Sequence, residues 1–272
     1  MYQALKNSLF EQDRHRYREI QKCVTTFNSM FNGNNIIQDD VFHIMENYVR
    51  KHDIPFELLR YGISDQEFCA CTFIREKRLF VLVNTAIPMA KQIFAAAHEL
   101  YHIYRFIDDD DSGLSERGSI LNATTIDETT TVMEDMEANA FARLLLAPAD
   151  RIDEQMRIYG VKRGSIDLQG ILMLMEIFAI PYKAMVLRLF EEEIISENQA
   201  RDFFLVPQSE IVEQVELTGK ASRWLQITKI PIRMGSLMEE MKTAEKLESV
   251  REERMKDDFD HIQHIKELIS DK

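Results

Sequence analysis

The chain has 272 residues, 45% of them hydrophobic and 29% charged, enough core-forming material for one large globular domain or two small ones. Its formal net charge of −13 argues against a sequence-independent grip on nucleic acid, which needs a basic footprint. It contains no run of about 18 apolar residues, and its first twenty residues are polar rather than leader-like. A cytoplasmic protein that does not engage a membrane is therefore expected.

Nine glycines and six prolines leave little room for turn-rich β architecture. Residues 1–31 and 39–51 have the periodicity of amphipathic helices, separated by the turn-forming NGNN at 32–35. Residues 67–84, EFCACTFIREKRLFVLVN, alternate β-branched and aromatic residues around a charged turn at 75–78, which predicts a hairpin. Its second strand, LFVLVN (79–84), is either an edge strand on which an extended peptide could lie or an ordinary interior strand. Cys69 and Cys71 fall on the first strand, where same-face neighbours are poorly placed to bridge, so they read as free thiols.

Pro88 precedes a helix over about 90–106, and residues 107–131, rich in Asp, Thr and Gly, predict an exposed, poorly structured loop. A second helix begins near 132, VMEDMEANAFARLLLAP, and stops at Pro148. Residues 165–200 predict two amphipathic helices joined at Ile180-Pro181, then a short acidic helix. Residues 236–269 predict a charged helix whose His261 and His264 have no partner cluster and read as surface residues.

The helix over 90–106 carries AAAHELYHIY at 95–104. Positions i and i+4 of a helix stack on one face, so His98 and His102 can both direct an imidazole at one ion. Glu99 lies beside them, suited to take a proton from a water on the metal and pass it to a leaving amine. That is the H-E-x-x-H arrangement. Ala95, Ala96, Ala97, Leu100 and Ile103 make this helix apolar nearly all round, as in a buried helix, and buried histidines need partners. A catalytic zinc needs a third protein ligand. The second helix supplies Glu134, Asp135 and Glu137, at least two of which must be ordinary surface acids. Its small Ala138 and Ala142 permit close approach to the first helix.

These two segments, AAAHELYHIY and EDMEANAFARLLLAP, resemble the ImmA/IrrE metallopeptidases, whose pattern is an HExxH helix followed by an E-x-x-A-N-x-F-A-x-x-L-L-x-P helix. Ala138, Asn139, Phe141, Ala142, Leu144, Leu145 and Pro148 match, as do the strand ending in Val83-Asn84, Phe94 and Ala97, and the helical stretch LMEIFAIPYKAMVLRLFEEEII; the similarity covers about residues 35–200. The resemblance implies a soluble gluzincin-type zinc endopeptidase that cleaves a DNA-binding repressor. It maps His98 and His102 onto zinc ligands, Glu99 onto the general base, and Asp135 onto a position where the family has Glu. Asp is shorter by one methylene, so the helices must approach more closely, or Glu134 or Glu137 takes over. Tyr101 stands where the family has Gly, and either packs or acts as a donor. Asn139, one turn after Asp135, is placed to orient a ligand histidine. For the oxyanion, Tyr101, Tyr104 and Arg143 are the candidates.

The expectation is an α+β, mostly helical fold: an N-terminal helical segment (1–62), a metallopeptidase core (63–150) with a small sheet packed on the HExxH helix, a C-terminal helical subdomain (151–207) and a charged helical tail (208–272). The expected function is Zn2+-dependent, site-specific cleavage of a helix-turn-helix repressor, with DNA recognition left to that partner. Two rivals stand beside it: a non-proteolytic zinc-containing interaction module, and a toxin or immunity component acting through a partner protein.

Overall fold

Two residues interrupt the amphipathic run at the N-terminus. Ser8 (ψ 142°) and Asp13 (φ −150°) take extended backbone and divide it into α1 (Gln3–Asn7), α2 (Leu9–Gln12) and α3 (Arg14–Phe31). The Asp13 carboxylate accepts a hydrogen bond from the Arg16 amide at 2.9 Å, which restarts the helix. The structure is a computed structural model describing residues 3–31, 35–65, 67–108, 118–126, 130–219, 222–225, 233–234, 239 and 243. Nearly all of the charged helix expected over 236–269, with His261 and His264, lies outside the described residues, as do 109–117 and 127–129 of the acidic loop.

After α4 (Val41–Lys51) comes a strand that periodicity did not expose, β1 (Phe56–Tyr61). The hairpin follows as expected, β2 (Phe68–Arg75) and β3 (Arg78–Asn84), turned by Glu76 and Lys77 at φ 51° and 61°. Positive φ at both central residues is the tight two-residue turn whose twist matches the strands. α5 (Met89–Asp108) is the HExxH helix. The stretch expected to be a loop then forms β4 (Gly118–Asn122) and a single helical turn, α6 (Ala123–Ile126). The pattern was too short to read: only Ser119 and Leu121 turn inward, and the acidic and Thr-rich flanks hide the alternation.

The sheet order is β4-β2-β3-β1-β5, where β5 (Arg233–Met234) is a two-residue strand from the C-terminal segment. β1 and β3 run parallel; β2–β3, β2–β4 and β1–β5 are antiparallel. Two expectations change here. β3, LFVLVN, is paired on both sides and is an interior strand, so it has no edge to offer a peptide. Among the described residues the two ends of the sheet are β4 and the two-residue β5. The N-terminal segment, moreover, is not purely helical, because β1 falls before residue 63 and is built into the core sheet.

Asn84 closes the end of β3. Its side-chain oxygen accepts from the amides of Ile63 and Ala86, both at 2.8 Å, and its amide donates to the carbonyls of Phe68, Asp65 and Ile63. One buried side chain thus fixes the β1–β2 connection and the entry to α5.

Alanine dominates where α5 meets α7 (Met133–Leu146): Ala95, Ala96, Ala97, Ala138 and Ala142 are all fully buried. Small side chains let the two axes approach closely and bury both helices almost all round. Beyond Pro148 follow α8 (Ala149–Ile158), α9 (Leu168–Phe178), α10 (Tyr182–Glu191), α11 (Glu197–Leu205), α12 (Gln208–Leu217) and the short α13 (Ser222–Leu225). The break at Ile180-Pro181 is as expected, with Ala179 in the left-handed region at φ 52° and a 102° bend between α9 and α10. No single helix among the described residues is long and apolar enough to cross a membrane. The architecture is α+β and mostly helical, with the small sheet on one side of α5 and helices on the other.

A fully buried ionic cluster joins these layers. Arg143 of α7 donates to Glu191 of α10 at 2.7 and 3.0 Å, Tyr17 of α3 donates to the same carboxylate at 3.0 Å, and Arg188 donates to the Ala147 carbonyl at the end of α7 at 2.9 Å. Glu191 is the shared partner of Arg143 and Tyr17 and lies beside Arg188. Substituting Glu191→Leu should therefore cost about 3–5 kcal/mol, the loss typical of leaving a buried charge without its partner. Urea unfolding of the two proteins measures it, and a loss below about 1 kcal/mol would mean that the cluster is not desolvated as described.

Candidate metal centre

His98 and His102 lie on the α5 face turned toward α7, both 1% exposed, with their Nε2 atoms 3.1 Å apart. The Asp135 Oδ1 atom completes the triangle, 3.9 Å from His98 Nε2 and 4.0 Å from His102 Nε2. Among the described residues these three donors form a group that can hold a metal ion, all within 4.8 Å of one another. Asp135, at 20% side-chain exposure, is the member that solvent reaches.

The outer nitrogens decide the tautomers. The Asn139 side-chain amide donates to the Thr125 carbonyl at 2.8 Å, so its oxygen faces His98 Nδ1, also at 2.8 Å, and that nitrogen must carry the proton. At His102, Nδ1 lies 3.1 Å from Glu134, a pure acceptor when ionised, and is likewise the donor. With both Nδ1 atoms protonated, neutral rings turn two bare nitrogen lone pairs toward each other. That arrangement requires a cation or a shared proton between them. Tetrahedral zinc at its usual Zn–N distance would hold two nitrogens about 3.3 Å apart, close to the spacing here. The donor set therefore fits a metal ion. Asp135 is the loose member, as expected of a carboxylate one methylene short; Thr130 steadies it with a hydrogen bond to Oδ2 at 3.3 Å.

Electrostatics follow burial. Desolvation, with His102 alongside, holds the His98 pKa well below the ordinary histidine value. Burial acts on His102 in the same direction but is overcome by Glu134, Glu99 and Asp135, which raise it. Desolvation raises Asp135 and Glu99, with the nearby His102 opposing both.

Glu99 lies on the neighbouring side of α5, fully buried against the sheet. Ser119 of β4 donates to its Oε2 at 2.9 Å, and the Thr72 hydroxyl of β2 lies alongside. Its other oxygen, Oε1, and the Thr72 hydroxyl oxygen are both buried without an aligned hydrogen bond among the described residues, although the two side chains lie close enough to interact. A carboxylate oxygen buried without a partner beside a metal-sized donor group is a strained arrangement in a purely structural site, and the one that a base for a water molecule requires.

The other two acids are accounted for. Glu134 orients His102. Glu137 turns away from the site, gripped by the Arg16 guanidinium of α3 and accepting from the Tyr101 hydroxyl. Tyr101 thus packs, against Phe141 at 5.5 Å between ring centroids, and spends its donor on Glu137. Arg143 is committed to Glu191, and Tyr104 lies half-buried beside Cys23. The three residues named for the oxyanion are thus all occupied elsewhere. Sequence reading missed Ser119 and Thr72, for which the only signal was two hydroxyls facing inward on strands, one of them in a segment with no legible strand pattern. The cysteines are free thiols, as expected.

No family model matches the chain, and no curated protein is significantly similar to it.

If the group holds a metal ion, Asn139→Ala and Glu134→Ala should each weaken its binding by about 10- to 100-fold, the usual effect of removing a group that orients a ligand histidine. Asp135→Ala should weaken it further, and Glu137→Gln should leave it unchanged while lowering thermal stability. Competition against a chromophoric chelator ranks the four; a Glu137 effect as large as that of Asp135 would mean the third donor has been misassigned.

Proposed function

We propose that the protein is a zinc-dependent endopeptidase of the ImmA/IrrE type that cleaves a regulatory protein, a helix-turn-helix repressor, at a specific bond. The observation that carries this reading is the pairing of a three-donor group on His98, His102 and Asp135 with the free, buried Oε1 of Glu99. A bound zinc ion would supply a Lewis acid that polarises a carbonyl and makes water a better nucleophile near neutral pH.

In this reading the residues divide the work. His98 and His102 present neutral Nε2 atoms because Asn139 and Glu134 hold the protons on the far side of each ring. Asp135 contributes negative charge. Glu99 takes the proton of the attacking water on Oε1, shielded by burial from bulk solvent, and then delivers it to the departing amine. The open side of β4 is the natural resting place for the substrate: it is a sheet edge, and its Ser119 touches the base, so an extended peptide paired there passes next to Glu99.

The test measures metal content and cleavage of a candidate helix-turn-helix repressor, for wild type and Glu99→Gln. Zinc in both proteins with cleavage by wild type, and a loss of about 100- to 10,000-fold in the variant, is the expected result. Zinc in both with cleavage by neither would favour a non-proteolytic interaction module. Absence of bound metal from both would sink the reading.

A further inference from the structure

The Glu99 carboxylate is held from the sheet, not from its own helix. Thr72 and Ser119 are directly opposed in the β2–β4 register; Ser119 donates to Glu99, and the buried Thr72 hydroxyl lies alongside without an aligned hydrogen bond. Ser119 claims Oε2, which leaves Oε1 as the unpartnered oxygen. The neighbouring residue controls how closely the strand sits. A Cβ at Gly118 would lie 3.0 Å from the Thr72 carbonyl oxygen and 3.1 Å from the Phe73 Cβ, tighter than an ordinary contact, so the bare glycine lets β4 seat fully on β2. Toward the other end of the β2–β4 pairing, a register irregularity between Phe68 and Ala70 leaves Cys69 as an extra residue.

From this geometry we infer that Ser119, carried on the edge strand β4, is the positioning residue of the Glu99 base. This rests on the peptidase reading and deepens it. A carboxylate is a two-fold group whose oxygens exchange by a simple side-chain rotation. A single hydroxyl donor on one oxygen breaks that symmetry and aims the other.

The experiment uses the full chain loaded with cobalt(II), whose visible absorption reports the ligand field at the metal. Glu99→Gln, which removes the base, defines the reference change in the spectrum. Ser119→Ala should bind cobalt with wild-type stoichiometry and move the spectrum in the same direction as Glu99→Gln. Ser119→Thr, which keeps the hydroxyl, should restore the wild-type spectrum. Gly118→Ala, which keeps Ser119 but crowds β4 against β2 by a few tenths of an ångström, should move the spectrum in the same direction by a smaller amount and gives a second route should Ser119→Ala fold poorly. On the candidate repressor, Ser119→Ala should lower kcat about 10-fold, in line with the loss of a hydrogen bond to a charged group, with KM little changed.

A wild-type spectrum for both Ser119→Ala and Gly118→Ala, with Glu99→Gln shifted, overturns the positioning role and leaves the peptidase reading intact. An unshifted Glu99→Gln spectrum overturns both, because Glu99 would then not face the metal. Failure of the wild type to bind cobalt overturns the metal centre itself.

Discussion

Two imidazole nitrogens meet at 3.1 Å in a part of the protein that water scarcely enters, and each has its far-side proton fixed by another residue. Lone pairs do not sit at that distance without something positive between them. Much of the surrounding architecture can be understood as the means of holding that contact. The alanines of α5 and α7 bring the helix axes close enough for Asn139, Glu134 and Asp135 to reach across. The ionic cluster of Arg143, Arg188 and Glu191 ties α7 to α10, while Asn84 fixes how the chain enters α5. Burial that would be a liability for lone polar groups becomes, around a cation, the condition for strong electrostatics.

The two faces of the site are built by different parts of the fold. α7 supplies everything that orients the histidines, and the sheet supplies everything that orients Glu99. The three donors and Glu99 thus answer to different elements, α7 for the histidines and β4 for the carboxylate. The closeness of His98 and Glu99 in sequence conceals this division, since adjacent residues on a helix point about 100° apart and meet different neighbours.

How much of this was legible beforehand depended on the range over which each signal acts. The HExxH helix, the hairpin around Glu76-Lys77 and the break at Pro181 are local events, and each was readable from a few consecutive residues. Asp135 was singled out only by the resemblance to a known motif, and Asn139 then followed from its helical spacing one turn later. β1 was missed because its residues, FELLRY, carry two charges on a strand whose burial comes from its neighbours. β4 was missed because its identity is a matter of pairing with β2, a long-range contact that five residues between an acidic stretch and a helical turn do not announce. The same blindness hid Ser119 and Thr72 and made β3 a plausible edge. The choice among Glu134, Asp135 and Glu137 was equally nonlocal: Glu137 is claimed by Arg16, more than a hundred residues away.

That last contact bears on what counts as a unit of this protein. Arg16 belongs to the N-terminal helices, yet it grips the same carboxylate that accepts from Tyr101, in the middle of the HELYH run. A fragment trimmed to the segment bearing the two signature helices would lose Arg16, stranding a carboxylate beside a buried phenol, and would lose β1 from the sheet as well. The recognisable motifs therefore mark the chemistry without marking the boundaries of anything that could be transplanted. Any exchange of parts with another protein, by recombination or by design, would have to carry the first sixty residues along or supply a new cation in Arg16's place.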